Sequence, residues 1–157
     1  MSGRESASSA ASPTIASAPP IAHPESLSLD ARVRLGVEIL SAYARSRRAL
    51  SREPIAAVVT GLRSQSPPAQ PSGRYSLAEA HRLGRAVTRL LTHVPGDTRC
   101  LTRSLVLTRL LAKRGIEARL VIGARTDPEF LAHAWVEHDG TPVLDSGDGS
   151  YGRLVEL

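Results

Sequence analysis

The apolar residues of this chain change period once, and the change falls at Gly115. Before it, apolar side chains recur every three or four positions, the mark of amphipathic helices. After it they alternate, so that successive side chains point to opposite faces of a strand. Helices come first and strands follow, which is the order of an α+β domain with an antiparallel sheet. At 157 residues, 41% of them hydrophobic, the chain is long enough for one domain with a core.

Four helices are expected. Leu29, Val33, Val37, Leu40 and Tyr43 line the apolar face of the first, with Asp30 as its cap or in its first turn. Pro54 opens a second helix that runs to about Gly61. Ser76 and Glu79 have the spacing of a capping box for a third, on which Leu83, Val87, Leu90 and Val94 share a face and which Pro95-Gly96 ends. Asp97 or Thr98 caps the fourth, which carries Cys100 and closes at Gly115. Its apolar residues (Leu101, Leu105, Val106, Leu107, Leu110 and Leu111) wrap most of its circumference, which makes it a central element.

Four strand segments follow. Ala118, Leu120 and Ile122 alternate with Arg119, Val121 and Gly123. Leu131, His133 and Trp135 take one face of the next strand and Ala132, Ala134 and Val136 the other. Asp139-Gly140 then makes a hairpin turn, and Pro142–Asp145 returns with Val143 and Asp145 on one face. Asp145 to Gly149 read as a loop, and Leu154–Leu157 as a last edge strand. Residues 1–28, rich in Ser, Ala and Pro and without apolar period, read as a disordered tail. The expected divisions are that tail, a helical segment over 29–63, a linker over 64–75 and a core over 76–157.

Composition narrows the setting. A single cysteine excludes an internal disulfide and fits a reducing compartment. No apolar run approaches a membrane span, and the first residues lack a signal-peptide core, so a cytoplasmic protein is expected. The net charge of +5 is unevenly placed: residues 30–114 hold 16 Lys and Arg against 5 Asp and Glu, while residues 115–157 hold 3 against 8. A basic helical half could attract an acidic peptide, an acidic protein or nucleic acid. The plainer reading is the stronger one: arginines on helix faces usually just solvate the surface. Aromatic residues are 3% of the chain, which gives base stacking little support.

Cys100 is the residue that carries chemistry. A thiol at a helix start lies at the positive end of the helix dipole, which favours thiolate. His133 follows 33 residues later and Asp145 another 12 later, on strands joined by a tight hairpin. An imidazole can take the thiol proton, a carboxylate can orient the imidazole, and free backbone N–H groups at a helix start can hold an oxyanion. Each residue also has a plainer role. A lone cysteine is commonly a small buried hydrophobe, His133 could be a core histidine among Ala132, Ala134 and Trp135, and Asp145 could simply open a turn. Asp148 competes with Asp145 for the third role. His138, beside the turn, is expected to be solvated. No pair among the histidines and Cys100 has a recognised zinc spacing, and there is neither a phosphate loop nor a dinucleotide fingerprint, so no metal or cofactor is expected.

Four segments together go further: Thr98-Arg99-Cys100-Leu101-Thr102-Arg103-Ser104-Leu105-Val106-Leu107, Leu110-Leu111-Ala112-Lys113-Arg114-Gly115-Ile116-Glu117-Ala118, Leu120-Val121-Ile122-Gly123 and Ala132-His133-Ala134-Trp135-Val136-Glu137. They strongly resemble the lasso-peptide maturation proteases, transglutaminase-like cysteine peptidases of bacterial peptide biosynthesis. The resemblance covers about residues 76–146, and more loosely the helices from 29 to 63. It implies a transglutaminase-like, papain-like core with the nucleophile at the start of a central helix packed on a small antiparallel sheet. It matches Cys100 to the nucleophile, His133 to the general base and acid, and Asp145 to the orienting carboxylate. The implied activity is removal of the leader from a ribosomally made precursor peptide, whose freed amine an ATP-dependent partner cyclase joins to an acidic side chain. Because no strand-like segment precedes residue 115, the chain resembles the split form, which depends on a separate leader-recognition protein. The same triad could instead serve a transglutaminase-like acyltransferase, and a non-catalytic peptide-docking scaffold would use the basic helices without it.

Overall fold

Gly115 divides the protein in space as it does in sequence. The computed structural model describes residues 28–64, 74–96, 100–144, 146–147 and 149–157. Four helices precede Gly115: α1 (Leu29–Leu50), α2 (Ile55–Ser64), α3 (Arg74–Leu91) and α4 (Cys100–Ala112). Four strands follow: β1 (Arg119–Arg125), β2 (Leu131–His138), β3 (Thr141–Pro142) and β4 (Gly152–Glu156). They form one antiparallel sheet in the order β3-β2-β1-β4. The expected tail and most of the expected linker fall outside the described residues. No described helix is long and apolar enough to cross a membrane.

The center of the fold is α4. Leu105, Val106, Leu107, Leu110 and Leu111 have no exposed surface, and each such side chain contributes about 1.5–3 kcal/mol by leaving water. α1, α2 and α3 pack around α4 from one side, and β1 and β2 from the other. Its end is closed by paired backbone bonds, Gly115 N–H to Ala112 and Ile116 N–H to Leu111, both 3.0 Å, with Gly115 at φ 66°. Glycine takes that left-handed backbone without steric cost, and Ile116 folds back onto the core.

A buried hydrogen bond and an apolar face fix α4 on the sheet. Ser104, fully buried, donates from Oγ to the carbonyl of Ala134 on β2 at 3.0 Å. Leu120, Ile122, Ala134 and Val136, which alternate onto the α4 face, pack against the same cluster. α3 approaches closely from the flank. A Cβ at Gly84 would strike the carbonyl oxygen of Val143, so only glycine allows this approach.

Several sequence expectations change. The first helix forms, but Leu29, Val33, Val37 and Leu40 are between 44% and 76% exposed. Of the expected face only Tyr43 is buried, and the face turned to the core carries Ile39, Ala42 and Ser46 with it. Ser28 caps α1, accepting from Ala31 N–H at 3.3 Å, and Asp30 stands in the first turn. α2 continues past Gly61 to Ser64. Ser76 and Glu79 make no capping box, because α3 already begins at Arg74 and both residues point elsewhere. The return strand is only Thr141–Pro142, after which Val143 and Leu144 both donate to the Val136 carbonyl. The last strand begins at Gly152, earlier than expected, and Leu157 pairs with Leu120 in both directions at 2.8 Å.

An ion-pair cluster ties three helices at the C-terminal end of α4. Arg114 reaches Glu38 of α1 at 2.8 Å and Glu79 of α3 at 3.6 Å, and Glu79 also holds Arg82 at 2.6 Å. The hydrogen bond from Arg114 holds the Glu38 carboxyl below the ordinary glutamate range, and that from Arg82 does the same for Glu79, with burial opposing in both. A carboxylate whose folded value is depressed stabilises the fold fully above its unfolded value, and that stability is lost as pH falls through the folded value. Thermal melts should therefore show stability falling as pH drops through and below the ordinary glutamate range. The Glu38→Gln/Glu79→Gln protein should melt a few degrees lower near neutral pH and show a shallower acid slope; an unchanged slope would rule out this cluster as the source. Ser104→Ala, which strips the buried Ala134 carbonyl of its donor, should cost about 1–2 kcal/mol in a denaturant titration.

Candidate active site

Cys100 is the first residue of α4 and is half-buried, its side chain packed at the margin of the hydrophobic core. The backbone N–H groups of a first helical turn have no acceptor within the helix, which makes them the donors at hand for an oxygen beside the thiol. The caps expected from sequence, Asp97 and Thr98, lie outside the described residues. Cys100 stands four residues before Ser104, about 6 Å of helical rise. Ser104 bonds to Ala134, and Ala134 is the neighbour of His133. One buried hydrogen bond thus ties the turn that carries the thiol to the strand that carries the imidazole.

His133 alternates away from the α4 face, onto the second face of the sheet. Its ring is stacked on Trp135, with centroids 6.1 Å apart and planes 19° apart, and it meets the ring of Tyr151 at 5.1 Å. Gly123 lies opposite His133 in the β1–β2 register, and the Trp135 ring covers the place a Cβ would take there. The Arg125 guanidinium lies 5.5 Å from the center of the Tyr151 ring, a cation–π distance.

Behind this aromatic group is a buried polar brace. Trp135 Nε1 donates to Glu137 Oε1 at 2.8 Å. Arg153 of β4 donates to both oxygens of Glu137, at 3.2 and 2.8 Å. Arg153 is raised above its ordinary range first by the hydrogen bond to Glu137, and it also pairs with Glu156 at 2.9 Å. A buried carboxylate is tolerated because all three donors converge on it. The brace locks Trp135, and through the stacked ring it limits where His133 can turn.

Asp145 and its competitor Asp148 both lie outside the described residues. The chain on either side of them is anchored: Val143 is buried beneath Gly84, and Gly147 sits against the Tyr151 ring, near the His133 ring. His138 is not solvated as expected. It is almost fully buried, with Nδ1 2.6 Å from the Glu117 carbonyl and Nε2 2.9 Å from Ser76 Oγ. A carbonyl can only accept, so Nδ1 carries the proton and donates. This bond explains why Ser76 serves no cap: its hydroxyl pins the start of α3 to the end of β2. His81 lies on α3 and His93 just after it. Among the described residues, no three His, Cys, Asp or Glu side chains gather as metal ligands would.

Tyr151, Ser104 and the Glu137–Arg153 pair were not singled out from the sequence. Tyr151 follows a Gly- and Ser-rich stretch with no periodic signal of its own. Glu137 falls at the alternating position of β2 that shares a face with His133 and Trp135, and that spacing was the available clue.

Comparison with known proteins agrees with this architecture. The Microcin J25-processing protein McjB of Escherichia coli is 42% identical over 77 residues, which is 46% of this chain and 36% of that protein. The matched part is therefore about a third of that relative's length. No solved structure matches the chain. The profile described as the transglutaminase-like superfamily matches residues 29–156, spanning all four helices and the sheet, and the chain belongs to that superfamily.

Proposed function

We propose that this protein is a cysteine peptidase that removes the leader from a ribosomally made lasso-peptide precursor, with Cys100 as nucleophile, His133 as general base and acid, and Asp145 as the carboxylate that orients the imidazole. The observation that carries the proposal is the position of Cys100, the lone thiol, at the open start of the central helix, which Ser104 bonds to the residue beside His133. Membership of the transglutaminase-like superfamily and the similarity to a microcin-processing protein support the same reading.

In this mechanism His133 takes the thiol proton and Cys100 Sγ attacks the carbonyl carbon at the leader–core junction. That approach requires Sγ and an imidazole nitrogen within hydrogen-bond reach, about 3 Å, so the His133 ring, on the face turned away from the body of α4, has to meet the thiol at the end of the helix. The carbonyl oxygen becomes an oxyanion, held by free N–H groups of the first turn of α4, that of Cys100 among them. Collapse of the intermediate breaks the C–N bond, and His133 gives its proton to the departing core amine. The leader remains as a thioester until His133 takes a proton from water, whose oxygen attacks the same carbon and releases the thiolate. The amine so freed is the group that an ATP-dependent cyclase would join to an acidic side chain. A separate leader-recognition protein presents the precursor in this reading, as the resemblance implies.

Cys100→Ala should abolish cleavage of a precursor, followed by mass spectrometry with and without a leader-binding protein, while the melting temperature changes little. Unimpaired cleavage by that variant would sink the proposal and favour a docking scaffold. Products carrying an added primary amine in place of water would mark an acyltransferase instead. Asp145→Asn should slow turnover by about 10²-fold or more with the fold intact; if only Asp148→Asn does so, the third role belongs to Asp148. Tyr151→Ala, which removes the ring against His133, should lower kcat more than it raises KM, and Tyr151→Phe should restore most of the loss.

A further inference from the structure

The apolar stripe of α1 that the core leaves uncovered borders a groove between α1 and α3. The groove has a volume of about 510 Å³. Leu35, Ile39 and Leu90 give it an apolar floor, and Arg32, Arg85 and Arg89 stand around it. Arg82 is there too, but it is already paired with Glu79. Among the described residues the other three have no acidic partner, and no acidic side chain lines the groove. Neither Cys100 nor His133 takes part in it.

Gly36 joins the groove to the stripe. It lines the groove itself, three residues from Ile39 on the floor and three and four residues from Val33 and Leu40 on the stripe. Residues three and four apart are neighbours on a helix surface. A Cβ at Gly36 would meet nothing within 4 Å, so the space over it is open. From Leu29 to Leu40 the exposed apolar side chains extend the surface along about 17 Å of helix. The result is an apolar trough with positive charge along its border.

We infer that the α1–α3 groove, together with the Leu29–Leu40 stripe, docks an acidic amphipathic helix of a partner protein. Apolar side chains on one face of that helix would cover Leu35, Ile39 and the stripe, and flanking carboxylates would pair with Arg32, Arg85 and Arg89. A groove between two helices is suited to an occupant that presents anchors at helical spacing. Nucleic acid fits less well: no Phe, Trp or Tyr lines the groove for stacking, and an apolar floor gains nothing from a phosphate backbone. Docking here requires no thiol chemistry at Cys100, so it can hold or fail separately from the peptidase activity.

The test uses the full chain and four labelled probes in fluorescence anisotropy: a helical peptide of about four turns with Leu on one face and Glu on the other, a scrambled peptide of the same composition, the same helix with Gln for Glu, and a single-stranded oligonucleotide of matching charge. The acidic amphipathic peptide should bind at least about tenfold more tightly than the other three, and added salt should weaken it. Gly36→Trp should fill the open space and weaken that binding by about tenfold or more, as should Arg85→Glu/Arg89→Glu. Circular dichroism checks both variants, and if Gly36→Trp misfolds the double charge reversal decides alone. No binding of the acidic amphipathic peptide would overturn the inference. So would equal binding of the scrambled peptide or the oligonucleotide, which would reveal a plain polyanion field, or affinity untouched by the folded variants, which would place the peptide elsewhere.

Discussion

A helix that is apolar around most of its circumference cannot lie on a surface, and the arrangement of this protein follows from that constraint on α4. Three helices and two strands surround it because Leu105, Val106, Leu107, Leu110 and Leu111 must all leave water. The free thiol sits where this burial ends, at the first residue of the helix, with core behind it and the first-turn backbone N–H groups beside it. Such a position is held rigidly without being closed off. Packing on one side limits the thiol's movement, and the first-turn N–H groups have no acceptor within the helix itself.

The sheet divides its labour between its faces. The face toward α4 carries Leu120, Ile122, Ala134 and Val136 and makes core. The other face carries His133, Trp135 and Glu137, with Arg153 and Tyr151 arriving from the last part of the chain. The charged brace there stabilises no apolar cluster; it fixes a ring that fixes another ring. In its absence, Glu137 would be a buried carboxylate with only the indole N–H for company, an arrangement that desolvation penalises. Stability and orientation thus rest on the same three donors.

The sequence made most of the architecture legible because period is a local property. The four helices, the Asp139-Gly140 turn (φ 49° and 73°) and the start of α4 at Cys100 could each be read from a few neighbouring residues. What could not be read depends on distant partners. α1 carries two apolar stripes of helical period, and only the placement of α4 selects Ile39 and Ala42 over Val33 and Val37. His138 is followed by a turn, which suggests water, yet the Glu117 carbonyl and Ser76 bury it from positions far along the chain. Ser76-Glu79 has the spacing of a cap, but both side chains have tertiary partners, and a helix start is indifferent to a spacing its side chains do not use. The candidate nucleophile and imidazole were visible because chemistry restricts which residue types can serve; Tyr151, whose role depends on a ring meeting another ring, left no such mark.

The segment between Val143 and Tyr151 has a further consequence. Both of its ends are fixed by contacts it does not itself make: one beneath Gly84, the other on the ring of His133. The entropy lost in bringing those ends together is thus already offset by the core and the aromatic group, and changing the length of a closed loop alters that entropy only slowly. Changes in the segment's length should therefore cost the fold little, whereas Gly147 and Gly149, at φ 77° and 80°, should resist substitution, Gly147 doubly so because a Cβ there would strike the Tyr151 ring. The stretch can thus lengthen or shorten around its fixed glycines with little loss of stability, and its length is what can vary most cheaply next to the His133 ring.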